Sequence, residues 1–406
     1  MSDSAFDASG ATLSSTLPAS AASSIGSPVR TAAVGKEEII DVMRGFAALL
    51  VAYFHCRQIE WVGMRAFHQS VGHSHSLSTI IGYLTFPIAW GSAGVPIFFV
   101  ISGYCIHRSA AFRFAQNPAY RLDTSNFWLR RFVRIYPVLL AALVLTLALD
   151  SISLQLPPVN HRINDIGLMP FLVNLFSLQG LALHTYGSNG ALWTLSLEVQ
   201  FYVIYPLLFA LRRKIGMTKV LAIVAVVNVV SAALLEPRDI QFFTSYWFAW
   251  TIGAWIADAR AAKSVAATSG IVQRPASRGL YVAAAVFTVL GCVVFNYGQF
   301  GAFQCWAIGF AFYLYKALEP KAEPGAISRA VSKVLSPFGD FSFSLYLIHL
   351  PIFVLLGSVL FRSELQVSIW PSFGFMVVAV IVAYGFYRLV ELPAMRWSAR
   401  LKPRRG

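Results

Sequence analysis

Asp41–His55 reads DVMRGFAALLVAYFH, and this stretch decides how the rest of the chain is understood. Arg44 and His55 are eleven positions apart. At 3.6 residues per turn that is almost three whole turns, so on a helix both side chains leave one face. A rise of 1.5 Å per residue separates them by roughly 16 Å along the axis. Asp41, three residues before Arg44, falls on that face too. Ionisable groups within a bilayer-spanning helix are costly and mark function by default. The spacing therefore predicts a membrane helix with a working face, and the remaining helices are expected to enclose it.

Composition supports a membrane protein. Of 406 residues, 57% are hydrophobic and only 12% are Asp, Glu, Lys or Arg, about half the charged share usual in soluble domains. Mean hydropathy is +0.63. The fold class expected is an all-α, polytopic helical bundle. The four cysteines (Cys56, Cys105, Cys292, Cys305) lie scattered beside apolar runs without paired spacing, which suits small buried hydrophobes rather than a disulfide framework or a metal site. Residues 1–36 are rich in Ser, Ala, Gly, Thr and Pro without a basic start and apolar core, so a flexible cytoplasmic tail is expected there rather than a signal peptide. Residues 37–397 form the expected transmembrane domain, and 398–406 a basic cytoplasmic tail.

Apolar runs of spanning length fall near 39–57, 79–106, 127–150, 191–211, 219–235, 241–260, 280–297, 299–317, 338–360 and 371–392. A further run, 166–183, is interrupted by Gly167, Pro170, Asn174, Gln179 and Gly180. Treating it as non-spanning gives about ten crossings with both termini cytoplasmic. Only Arg57, Arg65, Arg162, Arg238 and Arg362 of the 32 basic residues then lie on the outer side, as the positive-inside rule requires. Counting it as a span would put Arg212, Arg213, Lys214 and Lys219 outside. The 166–183 segment is thus expected to be re-entrant or interfacial. The net charge of +14 becomes a topology signal with some affinity for anionic lipid, not evidence for nucleic acid. No internal repeat relates the two halves, which counts against many secondary-transporter folds.

Other stretches place polar groups in apolar surroundings. His55 is a candidate general base, since a neutral imidazole titrates near working pH; an interhelical hydrogen bond would also account for it. In NFWLRRFVRIYP (Asn126–Pro137), Arg131 and Arg134 are one turn apart where the apolar run has begun. Positive-inside anchoring explains part of this cluster, and arginine forks also suit phosphate groups. In ALWTLSLEVQFYVIYP (Ala191–Pro206), Glu198 with Thr194, Tyr202 and Tyr205 makes a polar stripe. Glu198 needs a partner, either a structural cation or a histidine or substrate hydroxyl that it orients. FSFSLYLIHLP (Phe341–Pro351) puts Ser342, Tyr346 and His349 on one face, in a structural, positioning or catalytic role. GSAGVPIFFVISGY (Gly91–Tyr104) has small residues, a mid-span Pro96, and Ser102 and Gly103 near its cytoplasmic end. Glu391, in VELPAMRW, ends the last span and is available to a basic neighbour. GxGxxG, GxxxxGK[ST], HExxH, CxxC and GxSxG are all missing, so a nucleotide-hydrolysing domain, a zinc site and a serine-hydrolase elbow are unsupported.

Taken in order, DVMRGFAALLVAYFH, GSAGVPIFFVISGY, FWLRRFVRIYP, LWTLSLEVQFYVIYP, FSFSLYLIHLP and ELPAMR resemble the acyltransferase-3 family of integral membrane acyltransferases. The resemblance runs over roughly residues 39–397. Arg44 and His55 meet the family's Arg–ten residues–His pattern, and Arg131 and Arg134 its Arg-x-x-Arg pattern. Val42 and Met43 replace the usual apolar pair before Arg44, and Thr194 stands where Ser is common; no charged position departs.

The resemblance implies acyl transfer to carbohydrate hydroxyls outside the cytoplasm, in a bacterial inner membrane. The reaction expected takes an acyl group, in the first instance acetyl, from acetyl-CoA as donor substrate to a free or lipid-linked glycan. No permanently bound cofactor and no metal are expected. His55 and Glu198 are the expected catalytic pair, with Glu198 orienting or charge-stabilising His55. Arg44, Arg131 and Arg134 are expected to bind acyl-CoA, supported by Asp41, Ser102, Tyr202, Tyr346 and His349. The other class of function is a proton-coupled transporter or flippase, which would use the same ionisable groups without consuming acyl-CoA.

Overall fold

The computed structural model describes residues 38–268, 276–319 and 325–401. The expected tail 1–36 and the last residues of the basic tail, 402–406, lie outside the described residues. Within them the chain is all-helical, with only isolated bridges and no strand. The helices are α1 (Glu38–Glu60), α2 (Met64–Val71), α3 (Leu77–Leu84), α4 (Gly94–Gln116), α5 (Thr124–Ser153), α6 (Leu168–Leu175), α7 (Leu192–Ile215) and α8 (Met217–Leu235). They continue with α9 (Trp247–Thr268), α10 (Gly279–Val294), α11 (Gln299–Ala317), α12 (Ala326–Asp340), α13 (Ser342–Phe361), α14 (Trp370–Phe386) and α15 (Leu392–Arg400).

All ten apolar runs are helical. Seven helices among the described residues are long and apolar enough to cross a membrane: α1, α3 with α4, α5, α7, α8, α13, and α14 with α15. The other three expected crossings fold as α9, α10 and α11. At 16 residues α10 is about 24 Å long, short of the roughly 30 Å hydrocarbon core. α9 dilutes its apolar face with Asp258, Arg260 and Lys263.

Two local expectations change. The run 79–106 is not one straight span: α3 ends at Leu84, a 3₁₀ stretch covers Phe86–Ala93, and α4 starts at Gly94. Pro96 therefore sits in the first turn of a helix, where its missing N–H has no intrahelical partner to lose, and not at mid-span. Because α4 continues to Gln116, Ser102 and Gly103 lie in its interior, not near its end. Ahead of α13, residues Ala326–Asp340 form the amphipathic helix α12.

Small residues set the closest helix crossings, as is usual where lipid removes the hydrophobic drive between helices. A Cβ on Gly103 would overlap the Trp250 carbonyl, and one on Gly253 the Val100 carbonyl, so α4 and α9 meet backbone to backbone. In the same way Gly45 and Gly339 bring α1 and α12 together. α13 is apolar all round and mostly buried, which makes it a central helix; it packs on α1, α5 and α14.

Internal prolines leave backbone acceptors without a helical donor, and the fold supplies substitutes. Pro351 in α13 cannot donate to the Leu347 carbonyl; Asn189 Nδ2 does so at 2.8 Å. Pro206 in α7 cannot donate to the Tyr202 carbonyl; Trp128 Nε1 does so at 2.9 Å. Asn189 belongs to the segment that follows α6. At eight residues, α6 is about 12 Å long and too short to cross. The segment is instead folded on itself by buried polar groups. Asp150 at the end of α5 accepts from Ser188 N at 2.7 Å and Ser188 Oγ at 2.6 Å. Tyr186 donates its hydroxyl to the Ile166 carbonyl at 2.8 Å, and Gln179 Nε2 donates to the Leu192 carbonyl at 2.7 Å.

Asn189→Ala is expected to lower stability by about 1–3 kcal/mol, the cost of a stranded buried acceptor. Pro351→Ala, which restores the N–H, is expected to recover part of that loss in the double variant. Thermal unfolding of the four proteins in one detergent checks this; equal losses with and without Pro351 would remove the argument.

Candidate active site

α1 carries Arg44 and His55 up one side, and α13 runs beside it. Their meeting point is His55 and His349. Nδ1 of His55 lies 2.8 Å from Nε2 of His349, and the two rings are almost parallel, with an interplanar angle of 7°. Nδ1 of His349 is 3.0 Å from the Leu345 carbonyl, one turn back on α13. A carbonyl only accepts, so Nδ1 of His349 carries its proton. In the neutral ring Nε2 is then an acceptor, and His55 Nδ1–H is the donor that fills it. The remaining nitrogen, Nε2 of His55, keeps its lone pair. A neutral imidazole fixed in this tautomer is the form needed in a base or nucleophile.

Aromatic groups and one hydroxyl hold His349. Tyr346 packs its ring 5.9 Å from the His349 ring and 5.5 Å from Phe98, and its hydroxyl accepts from Thr194 Oγ1 at 2.8 Å. Arg162, from the loop after α5, donates to the Gln58 carbonyl at 2.7 Å, three residues past His55 on α1. It lies within electrostatic range of His55.

The second cluster lies at the other end of the α1 face. Arg44 interacts electrostatically with Asp41, Cys105, Tyr202 and Glu391. Arg131 lies 5.8 Å over the Tyr202 ring and 5.5 Å over Phe127, with Arg134 nearby. Asp41 and Glu391 are buried. The start of the arginine helix α5 is tied to α15, where Ser398 Oγ donates to the Arg130 carbonyl at 2.7 Å.

Glu198 belongs to this cluster and does not touch His55. Its Oε2 accepts from Ser102 Oγ at 2.8 Å, and Ser102 Oγ accepts from Trp250 Nε1 at 3.2 Å. Tyr202 also hydrogen-bonds Glu198, with Arg44 and Arg131 in electrostatic range. The expected pairing of Glu198 with His55 is therefore replaced by pairing with Ser102, Tyr202 and the arginines. The partner His55 does have is His349. Every other expected site residue falls into one of these two groups: Asp41, Arg44, Ser102, Arg131, Arg134, Glu198 and Tyr202 at one end, His55, Tyr346 and His349 at the other.

Sequence reasoning offered Glu391 only a basic neighbour and left Arg162 unassigned. Glu391 Oε2 accepts from Ser344 N at 3.1 Å and Ser344 Oγ at 2.5 Å. It caps α13 from another helix, satisfying one of the orphan amides of a first turn, and it faces Arg44 and Arg134. Its position at the end of the last apolar run was the available signal. Arg162 had none, since it lies in a loop without a motif. Among the described residues no group of His, Cys, Asp and Glu is arranged to hold a metal ion.

The chain is 26% identical over 397 residues to the acyltransferase MdmB of Streptomyces mycarofaciens, covering 89% of this chain and 92% of that protein. It is 23% identical over 336 residues to the O-acetyltransferase OatA of Staphylococcus aureus, covering 75% of this chain and 53% of that one. A shorter match of 140 residues, 29% identical, reaches the peptidoglycan O-acetyltransferase OatA of Listeria monocytogenes, over 32% of this chain and 22% of that protein. No solved structure matches the chain significantly. The family model for the acyltransferase domain matches residues 37–388, so the chain, a multi-pass membrane protein, belongs to the acyltransferase-3 family of acyltransferases.

Proposed function

We propose that the protein transfers an acyl group, acetyl in the first instance, from acyl-CoA held at the cytoplasmic side to a hydroxyl of a glycan on the outer side. The observation that carries this reading is the His55–His349–Leu345 relay. It leaves one imidazole lone pair available about three turns along α1 from a cluster of half-buried arginines. Ten crossings with both termini in the cytoplasm, as the positive-inside count favours, would put the arginines at the cytoplasmic end and His55 toward the outer end. The O-acetyltransferases among the relatives support oxygen as the accepting atom.

In this reading Arg44, Arg131 and Arg134 hold the donor's phosphate groups through charge-assisted forks. The pantetheine arm lies along the α1 face, which spans roughly 16 Å between Arg44 and His55. Nε2 of His55 takes the proton of the acceptor hydroxyl as its oxygen attacks the thioester carbonyl. The C–O bond forms, the C–S bond breaks, and His55 returns the proton to the departing thiolate. The charge that His55 gains is shared with His349 through the Nδ1–H···Nε2 bond. A two-step course through an acyl-histidine uses the same nitrogen as nucleophile. Glu198 and Glu391 balance the arginines.

The test is thioester consumption. Protein in nanodiscs receives acetyl-CoA and a bacterial surface-glycan extract, and free thiol is followed. Thiol release that requires the glycan is expected. No release with acetyl-, propionyl- or butyryl-CoA would overturn the proposal and return attention to transport. Arg131→Lys is expected to raise the KM for acetyl-CoA about tenfold while kcat changes little, because an ammonium cannot reproduce a bidentate fork. Initial rates over a donor titration check it; an unchanged KM would remove Arg131 from donor binding.

A further inference from the structure

A pocket of about 180 Å³ opens between the end of α8, the start of α9 and the start of α11. It is separate from both clusters above. Its lining combines two carboxylates (Glu236, Asp239), two amides (Gln241, Gln299) and two aromatic rings (Tyr246, Phe300). The nearby cation, Arg238, hydrogen-bonds the Leu234 carbonyl on α8, and its single charge offsets only one of the two acids. The pocket is smaller than the 300–1,000 Å³ usual for drug-sized ligands, so it suits one ring-sized polar group.

The pocket is linked to the histidine pair through α7. The Tyr246 ring lies 5.4 Å from that of Trp193, and the next residue, Thr194, hydrogen-bonds Tyr346, which packs on His349. The pocket and the relay thus lie on two sides of the first turn of α7. On the pocket's other flank Gln241 N donates to the Gly180 carbonyl at 3.0 Å, which joins it to the folded segment after α6. It therefore sits at the same end of the bundle as His55, away from the arginines.

We infer that this pocket is an anchoring subsite for one sugar ring of the acceptor, a pyranose bearing hydroxyls or an amine but no acidic group. Carboxylates and amides together accept from and donate to vicinal hydroxyls, and the aromatic rings offer faces for the apolar side of a pyranose. The excess negative charge of Glu236 and Asp239 over Arg238 repels a uronate or phosphorylated sugar, which is specificity by like charge. An acceptor held here while another of its hydroxyls meets His55 has at least two sugar residues. The inference rests on the acyl-transfer reading for its biological sense, but its test does not.

Binding of glucosamine, glucose and glucuronate to the full-length protein in nanodiscs is followed by tryptophan fluorescence, with Trp193 beside Tyr246 as reporter, and by saturation-transfer NMR. Saturable binding of glucosamine and glucose but not glucuronate is expected. The double variant Glu236→Gln/Asp239→Asn should bind glucosamine about tenfold more weakly, the loss expected for hydrogen bonds to charged groups. Tyr246→Ala should weaken both sugars. A thermal-shift comparison checks that each variant is folded. No saturable binding of any sugar to the wild type, or equal binding by the wild type and the double variant, would overturn the subsite. If thiol release persists in the first case, the acyl-transfer reading stands without the pocket. If sugars bind and no thiol is ever released, the pocket stands and the transfer reading fails.

Discussion

His55→Ala is expected to give a folded protein whose glycan-dependent thiol release falls at least about 10²–10⁴-fold, the range supplied by a positioned general base. Among the described residues the side chain makes one hydrogen bond, to His349, so its removal strands a single ring nitrogen and spares the helix crossings. KM for the donor is expected to change little, because the arginines lie at the other end of α1. The His349 variants separate positioning from catalysis. His349→Ala leaves Nδ1 of His55 without an acceptor, so the ring is free to take the wrong tautomer, and an intermediate loss of kcat with an altered pH profile is expected. His349→Gln is expected to restore part of that loss, since an amide oxygen can accept from Nδ1–H. A stably folded His55→Ala protein that transfers at the normal rate would sink the assignment. Equal rates for His349→Ala and wild type would show that the relay has no role.

Gly253→Val is expected to prevent the bundle from assembling, the largest structural effect of any single substitution considered. Its Cβ would overlap the Val100 carbonyl, and the obstacle is backbone, which cannot swing aside as a side chain can. Overpacking costs about 1–3 kcal/mol even where side chains yield, and here α4 and α9 must separate along their contact. Gly103→Val, which meets the Trp250 carbonyl from the other helix, is expected to behave alike. Gly374→Ala on α14, with nothing within 4 Å of the added carbon, is the control and is expected to be neutral or slightly stabilising. Size-exclusion profiles in detergent check all three. A monodisperse Gly253→Val protein melting near the wild type would contradict the close crossing.

The differing legibility of these features has a physical basis. The α1 face could be read directly because a helical period relates residues within one segment: Arg44 and His55 share a face whatever their surroundings. The run 166–183 could be read as non-spanning because a crossing there would put Arg212, Arg213, Lys214 and Lys219 outside, and α6 is indeed only eight residues long. The partner of Glu198 could not be read. Local periodicity places a carboxylate on a face but does not say which helix that face meets, and burial alone left a cation, a histidine or a substrate hydroxyl open. The same limit hid the His55–His349 contact, which joins positions 294 residues apart. Asn189 and Trp128 were legible in principle, since Pro351 and Pro206 announce stranded carbonyls four residues earlier, but not which side chains would fill them.

The hydrogen-bond direction at His349 has an electrical consequence. Because the relay ends on a peptide carbonyl and not on a carboxylate, the His55–His349 pair is electroneutral in its resting tautomers. A histidine–aspartate pair at the same place would bury a fixed negative charge, which hydrocarbon penalises heavily. At the far end of the α1 face Arg44, Arg131 and Arg134 are matched by Asp41, Glu198 and Glu391, while the charges near His55, on Arg57, Glu60 and Arg162, stand outside the relay itself. A proton taken up by the relay would therefore charge the imidazoles themselves, with a peptide carbonyl and not a carboxylate at its end.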